Sequence, residues 1–170
     1  MNNVHLASLD TMLDLVLERD IDVPRSLVWR ALTEPELVKK WFCPKPWQTV
    51  DCRIDLKAGG EFFTVMQSPE GQKFPSAGCF LDIVPQQRLI WTAALQPGFR
   101  PAAPMKEGDK ECAAIIFTCI ITLEERAGGT RYVAHVLHGS GPQMKMHEEM
   151  GFHEGWGTCL TQLVELVKGL

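Results

Sequence analysis

Basic charge is in short supply in this sequence: 17 lysines and arginines stand against 21 aspartates and glutamates, a net charge of -4. Without a basic surplus there is no electrostatic footprint for phosphate backbones, so nucleic acid is not expected as a partner and anionic membranes are disfavoured. Long apolar runs are missing as well, and no segment reaches the length of a membrane span. Met1 to Asp10 lacks the basic and apolar regions of a secretory signal. The six cysteines, Cys43, Cys52, Cys79, Cys112, Cys119 and Cys159, form no C-x-x-C pair, which removes zinc-knuckle and thioredoxin-like readings. They read as reduced, mostly buried thiols of a cytoplasmic protein. Nucleophile elbow, H-E-x-x-H, Walker loop and dinucleotide glycine fingerprint are all absent, so the chain carries no catalytic signature and no cofactor is expected.

What remains is an ordinary globular composition, 45% hydrophobic and 22% charged over 170 residues. That length suits one domain with its own core. The expectation is a single domain over 1–170, with 1–11 a loosely attached N-terminal segment.

Leu13, Leu15, Leu17 and Ile21 alternate with Asp14, Glu18, Asp20 and Asp22, the period of a half-buried strand. Pro24 then opens a helical pattern carrying Leu27, Val28, Ala31 and Leu32. Thr33 and Glu36 have capping-box spacing for a second short helix with Leu37, Val38 and Trp41. Strands follow over 50–56, 61–67, 74–84 and 88–95, separated by turn-type punctuation that favours antiparallel neighbours. A further pair over 113–125 and 130–138 is joined around Gly128-Gly129. Between these groups, 96–111 is long enough to be a lid carrying Phe99 and Met105, or a surface loop.

From Pro142 the pattern reads as one helix of about 26 residues and about 39 Å. Its stripe runs through Met146, Glu149, His153, Trp156, Leu160, Leu163 and Val167. Gly157 lies where the helix can approach a strand closely. A helix laid on an antiparallel sheet is an α+β arrangement.

Five segments then carry a resemblance: Asp22-Val23-Pro24-Arg25-Ser26-Leu27-Val28-Trp29, Trp41-Phe42-Cys43-Pro44-Lys45, Lys57-Ala58-Gly59-Gly60, Gly78-Cys79-Phe80-Leu81-Asp82-Ile83-Val84-Pro85 and Met150-Gly151-Phe152-His153-Glu154-Gly155-Trp156. In this order the chain resembles the START-like (SRPBCC) superfamily, in the branch named after the activator of the heat-shock-protein-90 ATPase, over nearly its whole length. The resemblance implies a helix-grip fold: a curved antiparallel sheet of about seven strands around a long C-terminal helix, with two short helices after the first strand. It also implies an elongated cavity between them. The sequence departs from the family at Cys43, where glycine is usual, and at Thr64, where an aromatic is usual, so pocket volume is not inherited.

Phe62, Met66, Phe74, Phe80 and Trp91 are the candidate wall of that cavity, and the competing reading is that they fill a dry core. Trp156 faces them from the helix. Glu149 and His153, four residues apart, are expected on the cavity side, where they could hold a polar ligand head or act as a general base, or form only a local pair. His138, ending the last strand, is a third candidate; His147 falls on the outer flank and His5 in the terminal segment. A metal needs three or four converging ligands and only two are placed together, so none is expected.

Three functions remain open. The first is binding of a small hydrophobic or amphipathic molecule without turnover. The second is cyclase- or dehydratase-like chemistry on a polyketide-like or aromatic substrate, which needs Glu149 and His153 inward and desolvated. The third is a chaperone-linked interaction, carried only by the family's name. Any self-association is expected to be a twofold dimer.

Overall fold

The computed structural model describes residues 8–103 and 115–170. Four strand patterns of the sequence appear with nearly the expected limits: β1 (Asp14–Ile21), β3 (Glu61–Gln67), β4 (Lys73–Val84) and β9 (Gly129–His138). β2 (Gln48–Ile54) and β5 (Arg88–Thr92) lie between, followed by the two-residue strands β6 (Leu95–Gln96) and β7 (Arg100–Pro101) and by β8 (Phe117–Arg126). Seven of these make one antiparallel sheet in the order β1-β9-β8-β5-β4-β3-β2, and β6 pairs with β7 apart from it. Met105 and the rest of 104–111, in the expected lid segment, lie outside the described residues, as do His5 and Cys112.

Register fixes which residues share the concave face. Leu15 pairs with Val136, Val136 with Cys119, and Cys119 with Trp91, so one row crosses four strands. The buried core, including Leu15, Cys119, Ala134, Val136, Leu160 and Leu163, sits between this face and the C-terminal helix. The fold is the helix-grip α+β type that the resemblance implies.

α1 (Arg25–Thr33) starts after Pro24, held extended at φ -62 and ψ 141, and α2 (Pro35–Trp41) starts with proline at its first turn. The capping box does not form. Thr33 Oγ1 instead donates to Trp29 O at 2.7 Å, and Glu34 caps α2 through its extended backbone without a side-chain bond.

The single C-terminal helix is also corrected. It is two helices, α3 (Gly141–Glu149) and α4 (Phe152–Lys168), because Gly151 sits between them at φ 90 and ψ 40, where a side chain is strained. Replacing Gly151 by alanine should cost about 1–2 kcal/mol in equilibrium unfolding, since the left-handed conformation penalises a Cβ by that much. α3 is capped by Ser140, whose side chain accepts from Gln143 N at 3.4 Å. Gly157 does admit a close approach: a Cβ there would lie 3.2 Å from Arg19 Nη2, and Arg19 Nη1 donates to Thr161 Oγ1 at 2.9 Å, tying β1 to α4.

Among the described residues no helix is long and apolar enough to cross a membrane. Asp10, in the segment expected to be loose, is tied to β1: its N–H donates to Asp14 Oδ2 at 2.9 Å and its carbonyl accepts from Asp14 N at 2.8 Å.

Candidate functional site

A row of aromatic rings runs across the sheet from the end of α2 to α4. Phe42, following α2, meets Phe62 of β3 at 5.5 Å between centroids, and Phe62 meets Trp91 of β5 at 4.9 Å. Trp91 continues to Phe117 of β8 at 5.3 Å, and Phe117 to Trp156 of α4 at 5.9 Å. Edge-to-face and tilted contacts of this kind add to burial. Phe42, Trp91, Phe117 and Trp156 are half-buried, so one side of the row reaches toward the surface.

The space left open along this row is small. An apolar void of about 20 Å³ is enclosed by Leu32, Val38, Trp41, Phe42, Phe62, Phe80, Leu89, Trp91 and Ile121. That is room on the order of one water molecule, against about 300–1,000 Å³ for a ligand cavity. The void lies against α1 and α2, so the expected open cavity along the C-terminal helix is corrected to a row of rings with a small gap. Phe62, Phe80 and Trp91 surround that gap. Met66 and Phe74 do not; they pair with each other farther along β3 and β4, where Trp47 covers Phe74 at 5.5 Å. Thr64 is buried but does not line the void, and Cys43 is buried with its Sγ 3.3 Å from Thr49 Oγ1.

The polar end of the site is made by residues other than those expected. Glu149 ends α3 and His153 lies in the first turn of α4, and both are exposed. The stripe that joined them assumed a continuous helix, and the turn at Gly151 breaks it. Among the described residues no hydrogen bond or ion pair links the two. The same break sends His147 inward from its expected outer flank. His138 is 6% and His147 8% exposed, and His138 Nε2 lies 2.9 Å from His147 Nδ1. Phe117 lies against His147 at 5.1 Å, with Phe152 at 5.2 Å and Trp156 at 5.9 Å. The sequence held one signal for this pair: Met144 and His147 are three residues apart and form the buried face of α3.

The proton positions follow from one fixed partner. His138 Nδ1 is 2.8 Å from Leu13 O, and a carbonyl only accepts, so Nδ1 carries hydrogen. With its hydrogen on Nδ1, His138 offers a lone pair at Nε2, and His147 Nδ1 donates to it. Burial, and next the neighbouring His138, push the His147 pKa down to about 4, so this imidazole is neutral near neutral pH.

A second histidine contact lies on the opposite sheet face, where His135 Nε2 is 2.9 Å from Asp14 Oδ2. Cysteine chemistry is unfavourable. Burial, followed by the Asp51 charge, pushes Cys52 up to about 11, and burial, followed by Cys43, pushes Cys159 up to about 12, so neither is a thiolate at neutral pH. Among the described residues there is no cluster of three His, Cys, Asp or Glu groups suited to a metal ion.

Comparison with known proteins follows from this architecture. The family described as "Activator of Hsp90 ATPase homolog 1-like protein" matches residues 22–168. A crystal structure of a protein from Nitrosomonas europaea is 55% identical with a TM-score of 0.87, covering 95% of this chain and 97% of that one. A crystal structure from Rhodobacter sphaeroides is 18% identical with a TM-score of 0.77, over 96% and 97% of the two chains. A solution structure from Arthrobacter aurescens is 20% identical with a TM-score of 0.77, over 98% and 93%. The last two show the fold alone. Comparison with curated proteins finds no match.

Proposed function

We propose that this chain, which belongs to the activator of Hsp90 ATPase homolog 1-like family, binds a small hydrophobic or amphipathic molecule along its row of aromatic rings, without turning it over. The observation that carries this reading is the continuity of the row from Phe42 through Phe62, Trp91 and Phe117 to Trp156, with four of its five rings half-buried. A gap of about 20 Å³ admits no such molecule as it stands. Entry therefore works by displacement: Phe42 and Trp91, which border the gap and reach the surface, swing aside, and the ligand's apolar face replaces their contacts. Displacing rings costs packing that the incoming molecule restores, so affinity favours flat, apolar ligands that refill the slot.

The enzyme reading needs a carboxylate and an imidazole together inside the site, and Glu149 and His153 are both exposed. Raised thiol pKa values at Cys52 and Cys159 likewise speak against a cysteine nucleophile.

Thermal unfolding with a panel of naphthalene, indole and medium-chain fatty acids tests the binding reading. A ligand that binds only the native state, present at about 100 times its Kd, should add about 2.7 kcal/mol of stability. It should also change tryptophan emission, because Trp91 and Trp156 lie in the row. No shift with any member, together with no retained mass in native mass spectrometry of freshly purified protein, would sink the proposal.

A further inference from the structure

We infer that the molecule bound along the aromatic row carries a hydroxyl on an aromatic ring, a hydrogen-bond donor that His147 Nε2 accepts. The inference rests on the binding role proposed above and deepens it by assigning the chemistry of the ligand's head.

A one-way chain of hydrogen bonds gives the site its polarity. Leu13 O only accepts, which makes His138 Nδ1 a donor at 2.8 Å. A neutral imidazole with hydrogen on Nδ1 has its lone pair on Nε2, and that atom lies 2.9 Å from His147 Nδ1. His147 Nδ1 therefore donates, and its own lone pair falls on Nε2, on the side of the ring away from His138. A backbone carbonyl in the turn just ahead of β1 thus sets the polarity of a nitrogen on α3, two hydrogen bonds away.

That nitrogen is placed to meet a ligand. Among the described residues no group bonds to His147 Nε2, and none of their side-chain nitrogens or oxygens is sealed from solvent without a partner. Around it the ring is flanked by Phe117, Phe152 and Trp156, and Phe117 and Trp156 are the last members of the aromatic row. A ligand lying along the row with its ring against Phe117 would bring a substituent to His147.

The lone pair then discriminates. A hydroxyl donates to it. A methyl ether has no hydrogen to give, and a carboxylate sets a second acceptor against the first in surroundings that desolvate both. Specificity of this kind comes from a buried polar group that only the right head can pair.

The experiment uses three probes on the full chain: 2-naphthol, 2-methoxynaphthalene and 2-naphthoate, titrated against tryptophan emission near neutral pH. The same titrations are run on His147→Asn, in which the amide nitrogen can still donate to His138 while the acceptor at Nε2 is gone. The expected result is that 2-naphthol binds about five- to tenfold more tightly than either other probe. In His147→Asn its affinity should fall to that of 2-methoxynaphthalene. Equal affinities in the wild-type protein overturn the inference and leave the binding role standing. A preference for 2-naphthol that survives in His147→Asn overturns it as well, by placing the acceptor elsewhere. No binding by any probe overturns both. Long-range nitrogen–proton NMR of the histidine rings gives a ligand-free check: His147 should carry hydrogen on Nδ1 and none on Nε2, and the opposite tautomer overturns the inference whatever binds.

Discussion

Replacing Phe152 by alanine should lower the unfolding free energy by about 3–5 kcal/mol, the cost of truncating a fully buried aromatic ring. Phe152 is 1% exposed and touches Trp156 at 4.9 Å, His153 at 5.1 Å and His147 at 5.2 Å. It follows Gly151 directly, so its ring is the wedge that holds α3 and α4 at their angle. The loss therefore includes a cavity and also the support of the His138–His147 pair. Trp156 should cost less when replaced, about 2 kcal/mol, because half-burial means that only part of its apolar surface leaves water. Urea titration reads both values, with the slope unchanged if only stability moves. A loss below about 1 kcal/mol for Phe152→Ala would mean that the corner is held by something other than this ring.

The strands were legible because one face of the sheet is buried, so alternation of Leu15, Leu17 and Ile21 with charged neighbours fixes both strand and register. α1 was legible from Pro24, which presets its own φ just ahead of the helix. The corner at Gly151 was not, for a physical reason. Helical spacing continues across it, with Met146, Glu149, His153, Trp156 and Leu160 three, four, three and four residues apart, and periodicity does not distinguish a turn from a straight helix. What separates them is one backbone torsion at a glycine, and glycine is tolerated inside helices too.

That one torsion decided the site. On a straight helix Glu149 and His153 share a face with Trp156; on the bent one they flank the corner in solvent and His147 takes the inner position. The aromatic composition of the interior could be read from Phe62, Phe80 and Trp91. Its free volume could not, since void space depends on how rotamers interdigitate rather than on which residues are present.

Acid should destabilise the protein through His147, and the sign can be worked out from its two pKa values. In the unfolded chain an imidazole takes a proton near pH 6.5, whereas in the fold burial and His138 hold His147 down to about 4. Between these values the unfolded state binds more protons, so each step toward acid favours unfolding. The contribution is fully present above about pH 6.5, declines below it, and is exhausted once the pH has fallen past about 4, for a total of about 3 kcal/mol. Carboxylates titrate over the same range, so the whole slope does not belong to one ring. His147→Asn separates them: it cannot take the proton, and it should remove about 2 kcal/mol of the stability difference between about pH 7 and about pH 4.5. Urea unfolding of both proteins at the two pH values measures this directly. An unchanged difference in the variant would mean that His147 reaches solvent freely enough to protonate at its ordinary pKa, and the neutral acceptor at the end of the aromatic row would then be lost with it.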